Sequence, residues 1–229
     1  MTELKKIAME LTETPRGERQ IELLQLIGRE LLSNYVIKVS DITIQPLWIE
    51  AYYRFNDEVC GFDDSTVHGD ERQCEYDILY FHHKTDDQRS GVDICLSPKK
   101  GCYLSFLLKY TLVNGAFTTQ SQLSKKIPVA ARNDVGVLSF DPRPTDMIQF
   151  TKRIGITSGN YKDSSLAMVR DVNQRYTDAS GKEQSLPQKT QLLKEYIDAT
   201  YPEEQKSTEA QKAEISRKLV GEYWRDLFK

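Results

Sequence analysis

The 229-residue chain is 39% apolar and 28% charged, which supplies enough apolar material for a folded core and argues against a disordered chain. No stretch approaches the ~20 consecutive apolar residues of a membrane-spanning helix, and residues 1–13 lack the apolar segment of a signal peptide. A cytoplasmic protein is therefore expected. The formal net charge of −3 and the pI near 5.7 disfavour tight, indiscriminate nucleic-acid binding. This length favours a single domain over residues 1–229.

The first half of the chain is predicted to form one helix followed by strands. Apolar residues recur at helical spacing over residues 18–32, which is typical of an amphipathic helix packed on a core. Segments rich in β-branched and aromatic residues predict strands at 35–39, 42–44, 47–55, 78–82, 92–96 and 103–113. Residues 97–101 predict a hairpin turn. The acidic segment 57–77 has little apolar periodicity and predicts a long loop outside the core.

The second half has weaker strand patterns and ends in two predicted helices. Shorter strand or mixed segments are expected at 135–140, 148–156 and 166–172, and helices at 188–200 and 209–228. Docking of the last helix on the protein's own core is favoured over a partner groove. Together the elements predict an α+β fold, with a curved, mostly antiparallel sheet, helices packed at its edges, and a C-terminal helical extension over 186–229.

The cysteines, histidines and paired lysines are interpreted without special chemistry. The four cysteines form no CxxC pair and have no histidine at a zinc-ligand spacing, so reduced thiols are expected. His68, His82 and His83 are the histidines of the sequence. Adjacent strand residues point to opposite faces, so His82 and His83 cannot both face one site. We predict no metal and no cofactor. The adjacent Lys125 and Lys126 favour a solvated surface patch over an anion site.

The most suggestive segment is Ile49-Glu50-Ala51-Tyr52-Tyr53, on a predicted strand. Alternation puts Glu50 and Tyr52 on one face. Such a face could stack a planar ring on Tyr52 while Glu50 deprotonates a water, which is what hydrolysis of an N-glycosidic bond requires. The simpler alternative is a solvent-facing Glu and Tyr on an ordinary antiparallel strand.

Several short segments occur in the order and at the spacing of a known family. They are Ile27-Gly28-Arg29-Glu30-Leu31-Leu32, Ile49 to Tyr52, Leu79-Tyr80-Phe81-His82, Val92-Asp93-Ile94, Phe106-Leu107-Leu108-Lys109 and Arg153-Ile154-Gly155-Ile156. Over residues 20–175 the chain resembles the methylpurine (3-methyladenine) DNA glycosylase family, which performs base excision in DNA repair. The resemblance implies the family's fold. It also implies Glu50 as the water-activating base, Tyr52 and His82 as stacking walls, Lys109 as a cation near the water, and Asp93 beside the pocket floor.

The chain departs from the family's pattern at three places. The histidine that hydrogen-bonds the flipped base falls at Gly61, although His68 could serve after a loop shift. The intercalating aromatic falls near Thr85, and Asp93 replaces an amide. Acids at 57–64 would also lie beside the expected groove and weaken phosphate binding. The hypothesis is a divergent N-glycosidic hydrolase acting on a modified nucleobase or nucleoside, free or in single-stranded nucleic acid. The alternative is a non-catalytic binding protein on the same scaffold.

Overall fold

The computed structural model describes residues 2–82, 91–143, 145, 148–153, 155–156, 158–171 and 174–186. Residues His83 and Thr85 and the predicted helices 188–200 and 209–228 lie outside the described residues. Within the described part of the chain, no helix has both the length and the apolarity needed to cross a membrane.

Three α-helices are present in the described ranges: α1 (Glu3–Glu13), α2 (Glu18–Asn34) and α3 (Gln120–Lys126). Short 3-10 helices span Glu71–Cys74 and Val129–Asn133. The prediction of α2 is confirmed. Helix α1 was not predicted from the sequence, although its buried residues Leu4, Ile7, Ala8 and Leu11 recur at helical spacing.

The described ranges also contain twelve strands. In chain order they are β1 (Tyr35–Val39), β2 (Ile42–Phe55), β3 (Phe62–Asp63), β4 (Tyr76–Phe81), β5 (Val92–Leu96), β6 (Cys102–Val113), β7 (Ala116–Thr119), β8 (Leu138–Phe140), β9 (Ile148–Thr151), β10 (Ala167–Arg170), β11 (Arg175–Thr177) and β12 (Glu183–Ser185). The predictions of β1 and β5 and of the hairpin turn before β6 are confirmed.

One strand prediction and one loop prediction need correction. The segments 42–44 and 47–55 are one continuous strand, β2, which accommodates Pro46 at an irregularity in its pairing with β6. The segment 57–77 is not simply a loop outside the core, because it contains β3 and a 3-10 helix and buries Phe62, Asp64 and Gln73 to 2% exposure or less. Strand β3 has only two residues, so it shows no alternating apolar pattern that the sequence could reveal.

The strands confirm an α+β fold with a strongly curled antiparallel sheet. The main sheet has ten strands in the order β4-β5-β6-β2-β1-β8, with β3 and β10 also paired to β2, β7 to β6, and β9 to β10. One edge of β2 pairs with β6 along most of its length. The other edge pairs in turn with β1, β10 and β3, so β2 is the central strand of the fold. Strands β11 and β12 form a separate hairpin.

The two faces of β2 have different surroundings. Ile49, Ala51 and Tyr53 belong to the main core, which α1 and α2 cover. Because side chains alternate along a strand, Trp48, Glu50 and Tyr52 point to the opposite face. Trp48 there joins a second apolar cluster with Phe117 and Tyr176, among others. The face that carries Glu50 is therefore not open solvent, and Glu50 is 0% exposed. The simpler alternative of a solvent-facing Glu50 is wrong.

Candidate functional site

The strand register places two of the predicted site residues, Glu50 and Asp93, in one row across the sheet. Tyr80 pairs with Asp93, Asp93 with Leu107, Leu107 with Glu50, and Glu50 with Ala167. Residues directly opposite one another in neighbouring strands share a face. Asp93 and Glu50 therefore lie on the same face with one strand between them, about 10 Å apart at the ~4.8 Å strand spacing.

Glu50 is buried beside a hydroxyl and an ammonium group. The Tyr52 hydroxyl donates a hydrogen bond to Glu50 Oε2 at 3.1 Å, and Lys109 Nζ lies 3.9 Å from Glu50 Oε1. The Glu50 side chain is 1% exposed and that of Lys109 is 21% exposed. Burial, together with the negative charge of Glu50, raises the pKa of Tyr52 well above its usual value. Tyr52 is therefore a neutral hydroxyl donor to the carboxylate.

A β-bulge in β6 positions Lys109. Trp48 pairs with Tyr110 and the next residue, Ile49, pairs with Leu108, which leaves Lys109 as an extra residue. Lys109 continues the alternation of β6 and reaches Glu50. After the bulge Tyr110 points to the same face, where its ring lies 5.4 Å from that of Trp48. The bulge thus brings a cation and an aromatic ring to one face from adjacent positions.

A buried ion pair covers Tyr52. Arg153 Nη1 lies 2.5 Å from Asp64 Oδ2, and the two side chains are 0% and 2% exposed. The Arg153 guanidinium also lies over the Tyr52 ring, 4.8 Å from its centroid. Asp64 was expected among the acids that oppose phosphate at a groove. Its charge is instead compensated inside the protein by Arg153.

His82 and Asp93 form a second pair on this face. His82 Nε2 lies 2.8 Å from Asp93 Oδ1. The other carboxylate oxygen, Oδ2, accepts from Ser105 Oγ at 2.8 Å and from Gln73 Nε2 at 3.4 Å. Because a carboxylate only accepts hydrogen bonds, Nε2 of His82 carries a proton and donates a hydrogen bond to Asp93. Asp93 is 1% exposed, and the His82 side chain is 15% exposed.

His68 reaches the same site from the loop before the 3-10 helix. Its ring centroid lies 4.3 Å from that of His82, with the planes inclined by 60°. Burial, followed by the proximity of His82, lowers the pKa of His68.

Two glycines near the site are closely packed. Gly61, at the family's histidine position, is packed on the backbone of Asp57. A Cβ on Gly91 would fall 2.8 to 2.9 Å from atoms of the His82 ring, so His82 packs closely on the Gly91 backbone.

The six predicted site residues therefore fall into two groups on one face. Glu50, Tyr52 and Lys109 form the first, and His82, Asp93 and His68 form the second. Four further polar residues, none of them predicted as a site residue, complete these groups, namely Asp64, Gln73, Ser105 and Arg153. The sequence could have indicated Ser105, because it alternates with Leu107 and Lys109 along the predicted strand 103–113 and so shares their face. Gln73 lies in a segment without apolar periodicity, so nothing in the sequence indicated which way its side chain points.

Among the described residues, no group of three or more His, Cys, Asp or Glu side chains could hold a metal ion. The described thiols are all free. Comparison of the sequence with protein-family models gave no match, and comparison with curated proteins gave none either. Any assignment of function therefore depends on the residues of the site.

Proposed function

We propose that this protein hydrolyses the N-glycosidic bond of a modified nucleobase or nucleoside, with Glu50 as the general base. The proposal is carried by one observation: the Glu50 carboxylate is buried on the sheet face opposite the helices, between Tyr52 and Lys109. Buried carboxylates are costly unless paired, and they are concentrated at functional sites. The resemblance of residues 20–175 to methylpurine DNA glycosylases supports the same role for Glu50.

In this reaction Glu50 accepts a proton from a water molecule, and the resulting hydroxide attacks the anomeric carbon of the sugar. The C–N bond breaks, and its electron pair leaves with the base. Where C–N cleavage runs ahead of proton transfer, the Glu50 carboxylate still carries its negative charge and stabilises the positive charge that develops on the sugar in the transition state. Lys109 and Tyr52 hold the carboxylate in place, and burial strengthens these electrostatic interactions.

The second group of residues is suited to the leaving base. His82 is held in one orientation by Asp93, so its ring can serve as a wall against which a planar base stacks. Arg153 already covers one face of the Tyr52 ring, so a planar base stacks on the other face of that ring. The exposed acids Asp57, Glu58 and Asp63 and the net charge of −3 favour a nucleoside or single-stranded substrate over duplex DNA.

Base release tests the proposal. Nucleosides and single- and double-stranded oligonucleotides that carry hypoxanthine or an alkylated adenine are incubated with the native protein, Glu50→Gln and Glu58→Gln. Glu58 is exposed and serves as the matched control. We expect Glu50→Gln to slow release by about 10²- to 10⁴-fold, the usual contribution of a general base, and Glu58→Gln to leave it unchanged. Equal release by native protein and Glu50→Gln, with all three folded, would contradict the proposal.

A non-catalytic binding protein is the second candidate. It is favoured by the engagement of Glu50 with both Tyr52 and Lys109, and by the packing of Arg153 on Tyr52, which fill part of the space that a substrate would need. Equilibrium dialysis with labelled hypoxanthine and inosine separates the two candidates. Binding without base release would support the binding protein.

A further inference from the structure

A cleft of about 480 Å³ lies between α3 and the β11–β12 hairpin. One wall carries Thr119, Gln122, Lys125 and Lys126, and the other carries Ser180 and Gln184. Clefts of roughly 300–1,000 Å³ are typical of small-molecule sites. The cleft is lined by ammonium, hydroxyl and amide groups, all of which can donate hydrogen bonds.

The charge of the cleft is positive on the α3 side. Lys126 lines the cleft, and its Nζ donates to the neighbouring Thr118 Oγ1 at 3.0 Å, which holds the ammonium group in place. Lys125 is exposed beside it. Within the described part of the chain, no ion pair joins either lysine to a carboxylate. Both ammonium charges therefore act on whatever enters the cleft.

The carboxylate of Asp178, on the hairpin wall, is engaged by its own turn. It accepts hydrogen bonds from Ser180 N at 2.9 Å, Ser180 Oγ at 2.6 Å, Lys182 N at 3.0 Å and Gln184 Nε2 at 2.8 Å. These bonds, with the Ser180 hydroxyl the largest cause, lower the pKa of Asp178 to about 2. Asp178 thus shapes the hairpin wall, and the two lysines leave the described lining with a net positive charge.

The floor of the cleft is apolar. The Phe117 ring lies nearly parallel to those of Tyr110, at 5.7 Å and 24°, and Tyr176, at 5.8 Å and 25°. Phe117 belongs to the apolar cluster of Trp48 and is 6% exposed, so only a small part of it contributes to the lining. A ligand with an anionic group toward the lysines and a less polar body toward Phe117 fits these surroundings.

We propose that this cleft binds a phosphate group, with Lys125 and Lys126 as its cationic ligands. A phosphate monoester carries about −1.5 to −2 charge at neutral pH and has several acceptor oxygens. It therefore matches the two ammonium groups and the side-chain amide of Gln122 better than a carboxylate does. The volume also leaves room for the group that carries the phosphate. This inference does not depend on hydrolysis by Glu50.

The cleft and the Glu50 site are neighbours in the sheet. Thr119 of the cleft pairs with Tyr110, which directly follows Lys109. Paired residues in antiparallel strands lie about 4.5–5.5 Å apart between Cα atoms. The cleft thus begins one strand away from the cation that contacts Glu50.

Direct binding tests the inference without reference to catalysis. Ribose 5-phosphate, ribose, inorganic phosphate and a short single-stranded oligonucleotide are titrated into native protein, the double variant Lys125→Gln/Lys126→Gln, and the control Lys38→Gln/Lys162→Gln. Lys38 and Lys162 are exposed elsewhere, so both double variants change the net charge equally. We expect the phosphate compounds to bind native and control proteins and to lose at least about tenfold in affinity in the Lys125/Lys126 variant, with ribose not binding.

The arms of this titration also distinguish the source of the phosphate. Tighter binding of ribose 5-phosphate than of inorganic phosphate assigns the cleft to a small ester, and tighter binding of the oligonucleotide assigns it to a nucleic-acid strand. Lysine-dependent binding of either supports a phosphate site. The absence of binding by every phosphate compound, or equal loss of affinity in both double variants, would overturn the inference.

Discussion

At the residue scale, the polar side chains on the site face are compatible with burial because each has a partner of opposite charge or a hydrogen-bonding group. Glu50 lies beside Lys109, Asp93 beside His82, and Asp64 beside Arg153. An unpaired charge at any of these positions would carry the full desolvation penalty. The pairs therefore constrain which substitutions the fold tolerates.

The Asp64–Arg153 pair tests whether a buried charge without its partner destabilises the fold. We expect Arg153→Met to lower the free energy of unfolding by about 3–5 kcal/mol, because it leaves the Asp64 carboxylate buried without its cation. Arg175→Met is the matched control, since Arg175 and Glu183 form a pair with side chains 73% and 60% exposed. Its expected cost is about 0–1 kcal/mol. The measurement is urea-induced unfolding followed by circular dichroism, and equal losses in the two variants would refute the interpretation.

At the element scale, the close approach of α2 to the sheet depends on Gly28. A Cβ at this position would fall 1.9 Å from Met168 Sδ and 3.4 Å from Ile49 Cδ1. The helix lies against β2 and β10 at this point. A residue that appears in the sequence as part of an ordinary amphipathic helix is thus the contact point between two layers.

Replacement of this glycine should therefore destabilise the protein, although alanine is the better helix former. The gain in helix propensity is about 1 kcal/mol, whereas overpacking a filled core costs about 1–3 kcal/mol. We expect Gly28→Ala to lower the unfolding free energy by roughly 1 kcal/mol net. Combining it with Met168→Ala, which opens space for the new methyl group, should cost less than the sum of the single variants. Strict additivity in this double-mutant cycle would argue against the contact.

At the scale of the whole molecule, β2 links the two apolar clusters. Its residues Ile49, Ala51 and Tyr53 pack under the helices, and Trp48 packs on the other face with Phe117 and Tyr176. Loss of either cluster would therefore expose one face of this central strand. The described part of the chain is therefore expected to unfold as one unit.

Trp48 reports on this cooperativity. The sequence contains two tryptophans, so Trp224→Phe leaves Trp48 as the sole fluorescent reporter of the site face. We expect the urea midpoint from Trp48 fluorescence to coincide with the midpoint from helical circular dichroism, as two-state unfolding requires. A fluorescence transition at clearly lower urea would show that the site face unfolds independently of the helical core.

Local patterns in the sequence predicted much of the fold. Residues 35–39 and 92–96 were assigned to strands with the bounds that the structure has, because strong β-branched runs between turn residues act locally. The helices α1 and α3 and the short strands β3, β7, β11 and β12 were not predicted. The apolar stripe of α1 spans only about two turns, and α3 has seven residues. Strands of two to four residues are too short to show a period of two.

For the candidate site, the sequence by itself determined which residues of one strand share a face: Glu50 with Tyr52, through the alternation of β2. Only the tertiary structure decided that Asp93, from a strand about forty residues away, lies in the same row, that a bulge delivers Lys109, and that Arg153 compensates Asp64. The physical reason is that alternation follows from the geometry of a single strand. Register, bulges and ion pairs between distant segments depend on contacts that form only when the whole sheet assembles.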